Sequence, residues 1–193
     1  MLAASATPRR RYGSGMRTIT DPADRFDIPF TADEKQTLLG ILAFQRDTLR
    51  WKCSGLSSEL LAYRHAPSTL SLGGLLKHLA VIEAAWVNVT FAGTVETPSW
   101  YSQYEAQRER TDWTFATAVD DSAEQLLTWL DEAQRVTERV VAEADLDAIA
   151  QEPFWDGERA TLRWILLHLV QEYARHLGHA DLIREAIDGS AGI

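Results

Sequence analysis

Thr161-Leu-Arg-Trp-Ile-Leu-Leu-His168-Leu-Val-Gln-Glu172-Tyr-Ala-Arg-His176-Leu-Gly-His179-Ala-Asp-Leu-Ile-Arg-Glu-Ala-Ile187 carries a helical pattern over its whole length. Leu162, Ile165, Leu169, Glu172, His176, Ala180, Ile183 and Ile187 recur at steps of three and four, which places them on one helical face. Six of these are apolar or small, and the other two are a carboxylate and an imidazole. Unpaired polar groups on a buried face are costly, so Glu172 and His176 need a partner. A divalent metal is one partner that satisfies both.

Three further segments share this helical character. Thr31-Ala-Asp-Glu34 has capping-box spacing and predicts a helix from Thr31, with Leu38, Leu42, Gln45, Leu49 and Cys53 along one face and Gly55 as its stop. A short helix is expected over 57–63, before Pro67 breaks the pattern. A second long helix is expected over 71–90, its stripe running Leu75, His78, Ile82, Ala85/Trp86 and Val89. Residues 91–121, punctuated by Gly93 and Pro98 and carrying Trp100, Tyr101 and Tyr104, give no clear helical reading. The third long helix starts at Ser122, another capping-box position, and carries Leu126, Leu130, Ala133 and Val140. The fourth is 161–187, with Gly189 just past its end. No strand alternation and no internal repeat interrupt this order. Four amphipathic helices with two sizeable connections predict an all-α four-helix bundle over residues 28–193, preceded by a flexible extension over 1–27.

Composition narrows the function classes. The chain has 193 residues and a formal net charge of −9. Residues 1–20 contribute +4 through Arg9, Arg10, Arg11 and Arg17, so the rest carries −13 from 15 basic and 28 acidic residues. An acidic body repels nucleic acid, and no nucleic-acid partner is expected. No segment reads as a membrane helix, and the start lacks a secretory core. The single cysteine, Cys53, cannot form an internal disulfide, which fits a cytoplasmic protein and excludes a cysteine-built zinc site. Seven tryptophans suit an aromatic core, with some lining a cavity. A homodimer is compatible with the chain, but no residue fixes its interface.

Glu172 and His176 stand one helical turn apart and can offer an oxygen and a nitrogen to one ion. His78, on the core stripe of another helix, can supply a third ligand. Two histidines, a carboxylate and an open position suit zinc, and also iron, nickel or manganese. The competing reading pairs Glu172 with Arg175 or Arg163 and leaves His78 and His176 as hydrogen-bonded interior histidines. His168 lies one turn before Glu172 and is a candidate fourth ligand or acid/base group. Gly178 reads as a close helix approach, and His179 as a group behind the ligands or at the surface. No phosphate-binding glycine loop, H-E-x-x-H or G-x-S-x-G elbow is present.

Three segments resemble the DinB-like metal-binding superfamily, in the branch of mycothiol-dependent enzymes. They are Arg46-Asp-Thr-Leu-Arg-Trp-Lys52, Ser71-Leu-Gly-Gly-Leu-Leu-Lys-His78 and Thr161 through Asp181. The resemblance implies a four-helix bundle holding a divalent metal on residues matching His78, Glu172 and His176. Many relatives have His where Glu172 stands, and Glu there is similar to the mycothiol-dependent maleylpyruvate isomerase pattern. Many also have Gln where His179 stands. The resemblance further implies a low-molecular-weight thiol, mycothiol or similar, as cofactor or co-substrate with an electrophilic partner, in S-transferase or isomerase chemistry. His168 is then the candidate for proton transfer, and Trp86 and Arg175 for shaping the cofactor cavity. A non-catalytic, stress-associated metal-binding protein is the second reading.

Overall fold

Side-chain caps set where the helices begin. Asp33, Ser57, Ser71, Ser122 and Thr161 each accept from the backbone N–H three residues ahead, at 2.7–3.3 Å. They open α1 (Glu34–Cys53), α2 (Ser58–Leu61), α3 (Leu72–Glu83), and, after the short α4 (Tyr101–Gln107) and α5 (Trp113–Ala116), α6 (Ala123–Glu143) and α7 (Leu162–Asp188). The structure, a computed structural model, describes residues 18–93 and 97–191. Among these residues the fold is helical throughout, with only an isolated bridge between Ile149 and Thr161. The four long helices form the expected bundle: α3 touches α1, α6 and α7, and α1 lies along α7.

Two local expectations shift. The first helix starts at Glu34 rather than Thr31, because the Asp33 carboxylate, an equally good cap, lies nearer the first apolar turn. The second long helix changes geometry after Glu83. Residues Ala84–Phe91 are π-helical, and the Ala92 N–H reaches back five residues to the Val87 carbonyl. The wider turn breaks the three-and-four periodicity. Along the whole run Ile82, Ala85 and Val89 are only half-buried, while Leu79, Ala80, Glu83 and Val87 face the core. The continuous run Leu72–Phe91 is also long and apolar enough, by composition alone, to cross a membrane, which the sequence reading does not single out. Its position explains its composition: 78% of the most apolar window is buried inside the bundle.

At the centre lies a charged network. Arg46 of α1 pairs with Glu83 of α3, its Nε donating at 2.8 Å, and both side chains are almost wholly buried. The Tyr173 hydroxyl of α7 donates to Glu83 at 2.6 Å and accepts from Gln134 of α6 at 2.9 Å. Arg50 of α1 donates to Gln134 and pairs with Asp131 of α6. All four long helices are thereby tied together at a fixed register. Of the expected extension, residues 1–17 lie outside the described residues. Residues 18–27 lie against α1: Ile19 and Phe26 are buried, the Phe26 N–H donates to Asp47 at 2.8 Å, and the Arg25 guanidinium sits 4.5 Å from the Phe44 ring centre.

Candidate metal centre

His78 projects from α3, and Glu172 and His176 from α7. Their three ligand atoms lie within 4.8 Å of one another. His78 Nε2 is 3.6 Å from Glu172 Oε2, and His176 Nε2 is 3.5 Å from that same oxygen. Donors held about 2.1 Å from a tetrahedral ion stand about 3.4 Å apart, so this spacing fits one small cation. A second observation points the same way: His78 Nε2 is buried and has no hydrogen-bond partner. Buried polar atoms in native folds are nearly always satisfied.

Electrostatics keep both imidazoles in the ligand form. Burial lowers the His78 pKa, with the Glu172 charge opposing it. Burial, then the neighbouring His78, pushes His176 down to about 4. Neutral imidazoles at neutral pH are what metal binding requires.

Packing orients the ligands. The Phe115 ring stacks on His78, with centroids 5.5 Å apart and planes 29° apart. Phe115 can approach because residue 74 is glycine: a Cβ there would stand 2.4 Å from a Phe115 ring carbon. His179 Nδ1 lies 3.3 Å from His176 Nδ1, leaving His176 Nε2 turned toward Glu172. Gly178 has open space where a Cβ would go, so the expected close helix approach is not its role. Tyr173, the neighbour of Glu172, anchors α7 through the central network.

The other predicted residues surround this cluster. His168 is not among the three convergent groups; its ring stacks on Trp164 at 5.2 Å and meets Trp86 edge-on at 4.7 Å. Arg175 is mostly exposed, and its Nη1 is 3.8 Å from Glu172 Oε1. The Arg163 partner considered for Glu172 is engaged elsewhere, with Glu34 and Asp147. Trp86 packs against Phe154 at 3.9 Å and Trp164 at 5.1 Å.

Sequence reasoning missed the other flank. A cleft of about 220 Å³ opens beside His78, lined by Tyr104, Arg108, Thr111, Asp112 and Thr114 among others. Every one of these lies in residues 91–121, where periodicity gives no signal. Of the aromatic cluster noted there, Trp100 and Tyr101 are core, Trp100 packing with Trp113 and Trp129 at 6.3 and 5.6 Å, while Tyr104 is half-buried at the cleft.

Known proteins bear on this geometry in three ways. A crystal structure of a conserved protein from Enterococcus faecalis superposes with a TM-score of 0.63 at 16% identity, covering 83% of this chain and all of that one. At that identity the likeness concerns the fold. No curated protein sequence is significantly similar to the chain. Residues 37–189 match the family described as mycothiol-S-transferase. With most of its length matched and its helices arranged as a DinB-like bundle, the chain belongs to the mycothiol-S-transferase family.

Proposed function

We propose that the chain is a metal-dependent thiol S-transferase whose metal ligands are His78, Glu172 and His176. The observation that carries this reading is the convergence of three ligand atoms within 4.8 Å, one of them the unpartnered His78 Nε2. Zinc suits two imidazoles and a carboxylate, and nickel, iron and manganese accept the same donors.

A divalent cation bound there favours the anionic form of a thiol over the neutral form near neutral pH. The chain's own residues do the rest. His78 and His176 present neutral Nε2 atoms, and Glu172 presents one oxygen between them. Arg175 stands at the rim beside the other Glu172 oxygen, where its guanidinium can meet a carboxylate of a small thiol. His168, one turn along α7, accepts the proton that the thiol releases. Burial lowers the His168 pKa, so the ring is a free base at neutral pH. Trp86 packs edge-on against His168 and helps fix its ring. Cys53 is not the nucleophile: it is buried, and burial pushes its thiol up to about 12. The sulfur in this reading is that of mycothiol or a similar low-molecular-weight thiol, which the family match favours.

Elemental analysis of purified protein tests the ligand set. Wild type should hold one divalent ion per chain, and His78→Ala and His176→Ala should hold almost none. Equal metal content in all three defeats the assignment. Cobalt-loaded protein then tests the thiol: a ligand-field change on adding mycothiol supports transferase chemistry. No change leaves a closed, non-catalytic site.

A further inference from the structure

Beyond His168 the bundle opens into a cleft of about 510 Å³ whose walls are Trp86, Phe154, Ala160 and Trp164, with Arg159 and two acids at the rim. Trp164 is 43% exposed although Trp86 and His168 both touch its ring. The rings meet at an angle: Trp86 and Trp164 are tilted by 51°, and Trp86 and Phe154 by 44°. The cleft communicates with the metal centre through one residue. Trp164, His168 and Glu172 follow at four-residue steps on α7, about 6 Å apart along the axis. His168 stacks on Trp164 and touches Trp86 edge-on, so it lies directly behind two of the rings that wall the cleft.

The two clefts flanking the centre differ in what lines them. The one at His78 has Tyr104, Arg108 and Thr111, a Thr114 hydroxyl that donates to Asp112, and the apolar Val81, Ile82 and Trp113. It leaves room for a thiol with hydroxyl groups. The Trp86–Trp164 cleft has three aromatic rings along its walls, with Asp156, Glu158, Arg159 and Thr161 around them. We propose that this cleft binds the second substrate, and that the second substrate is a flat, uncharged aromatic electrophile of one or two rings. The proposal rests on the transferase reading for its chemistry but not for the binding. Stacked on Trp164, such a compound lies on the α7 face that continues through His168 to Glu172. The thiol sulfur forms a bond to that carbon, the leaving group departs with its bonding pair, and the thiol proton passes through His168 to water. With 1-chloro-2,4-dinitrobenzene the leaving group is chloride.

Calorimetric titration of the metal-loaded full chain with 2-naphthol, a flat ligand that cannot react, tests the site. Wild type should bind it. Trp164→Ala should weaken binding about tenfold, because both stacking and apolar contact are lost. Trp164→Phe should stay within about threefold of wild type, showing that a ring face is what matters. His176→Ala, titrated metal-free because it lacks a proposed ligand outside the cleft, should bind naphthol as wild type does. Undiminished binding in Trp164→Ala, or loss of binding in His176→Ala, overturns the proposal. Naphthol binding with this pattern in a protein that takes up no metal supports the cleft and sinks the transferase reading instead. Metal and thiol binding with no naphthol binding does the reverse.

Discussion

Two polar clusters share α3 and α7: Glu83 stands five residues after His78, and Tyr173 lies between Glu172 and His176. The central one sets Arg46 against Glu83 and Arg50 against Asp131, with Tyr173 and Gln134 joining the pairs. Each carboxylate there has a cation from the protein. The second cluster, His78, Glu172 and His176, has one carboxylate, two imidazoles held neutral by burial, and a buried nitrogen without a partner. The first cluster is complete and holds four helices in register. In the second, Glu172 meets a mostly exposed Arg175 at 3.8 Å, and its convergent donors are the ones proposed to hold a metal.

Breaking the complete cluster should have the largest effect. Arg46→Met leaves Glu83 buried and unpaired, which should cost about 3–5 kcal/mol in urea unfolding. Arg46→Met with Glu83→Leu should recover part of that loss. If the single variant is as stable as wild type, the network is not what holds the register.

Breaking the second cluster should leave the fold standing and remove the ligand. His176→Ala should weaken metal binding by at least about 100-fold, while metal-free stability falls far less than in Arg46→Met. Equal destabilisation of both would mean that the histidines are ordinary core residues.

The same contrast reads out in pH. Burial holds the folded His176 near 4, whereas an unfolded histidine titrates near 6.5. Between those values the unfolded chain binds more protons, so metal-free stability should rise with pH across the window and level off above it. His176→Gln should flatten that slope in denaturation series run from pH 5 to 7.5. An unchanged slope places the titration elsewhere.

Two smaller effects sharpen the picture. Gly74→Ala should push the Phe115 ring off His78 and lower metal affinity a few-fold, about 1 kcal/mol or less, by competition titration. Cys53 should resist thiol reagents at pH 8 in the folded protein, since its pKa is about 12 and it is buried. Rapid labelling of Cys53 would reopen the question of an internal nucleophile.

These contrasts also explain what the amino-acid order makes legible. The bundle is readable because caps at Ser71, Ser122 and Thr161 and stripes such as Leu162–Ile165–Leu169 are local signals. The trio is readable for the same reason: Glu172 and His176 interrupt a regular stripe, and His78 follows a capped apolar turn. The complete network is not readable, because Arg46, Arg50 and Glu83 look like surface charges until helices from different parts of the chain meet. The π-helical turns from Ala84 to Phe91 hide which of Ala85 and Trp86 turns inward, since period counting assumes a constant turn; it is Trp86. Phe154 and Arg159 come from a connection whose path depends on tertiary contacts, including the Ile149–Thr161 bridge. The cleft at His78 draws on residues 97–115, where short helices leave no period to follow.

X-ray absorption on the zinc-loaded full chain tests the difference between the clusters most directly. The account predicts a shell of nitrogen and oxygen donors at about 2.0–2.2 Å, with outer-shell scattering from two imidazoles that drops to one in His78→Ala. A sulfur shell near 2.3 Å in thiol-free protein, or the same two-imidazole signal in His78→Ala, would contradict it.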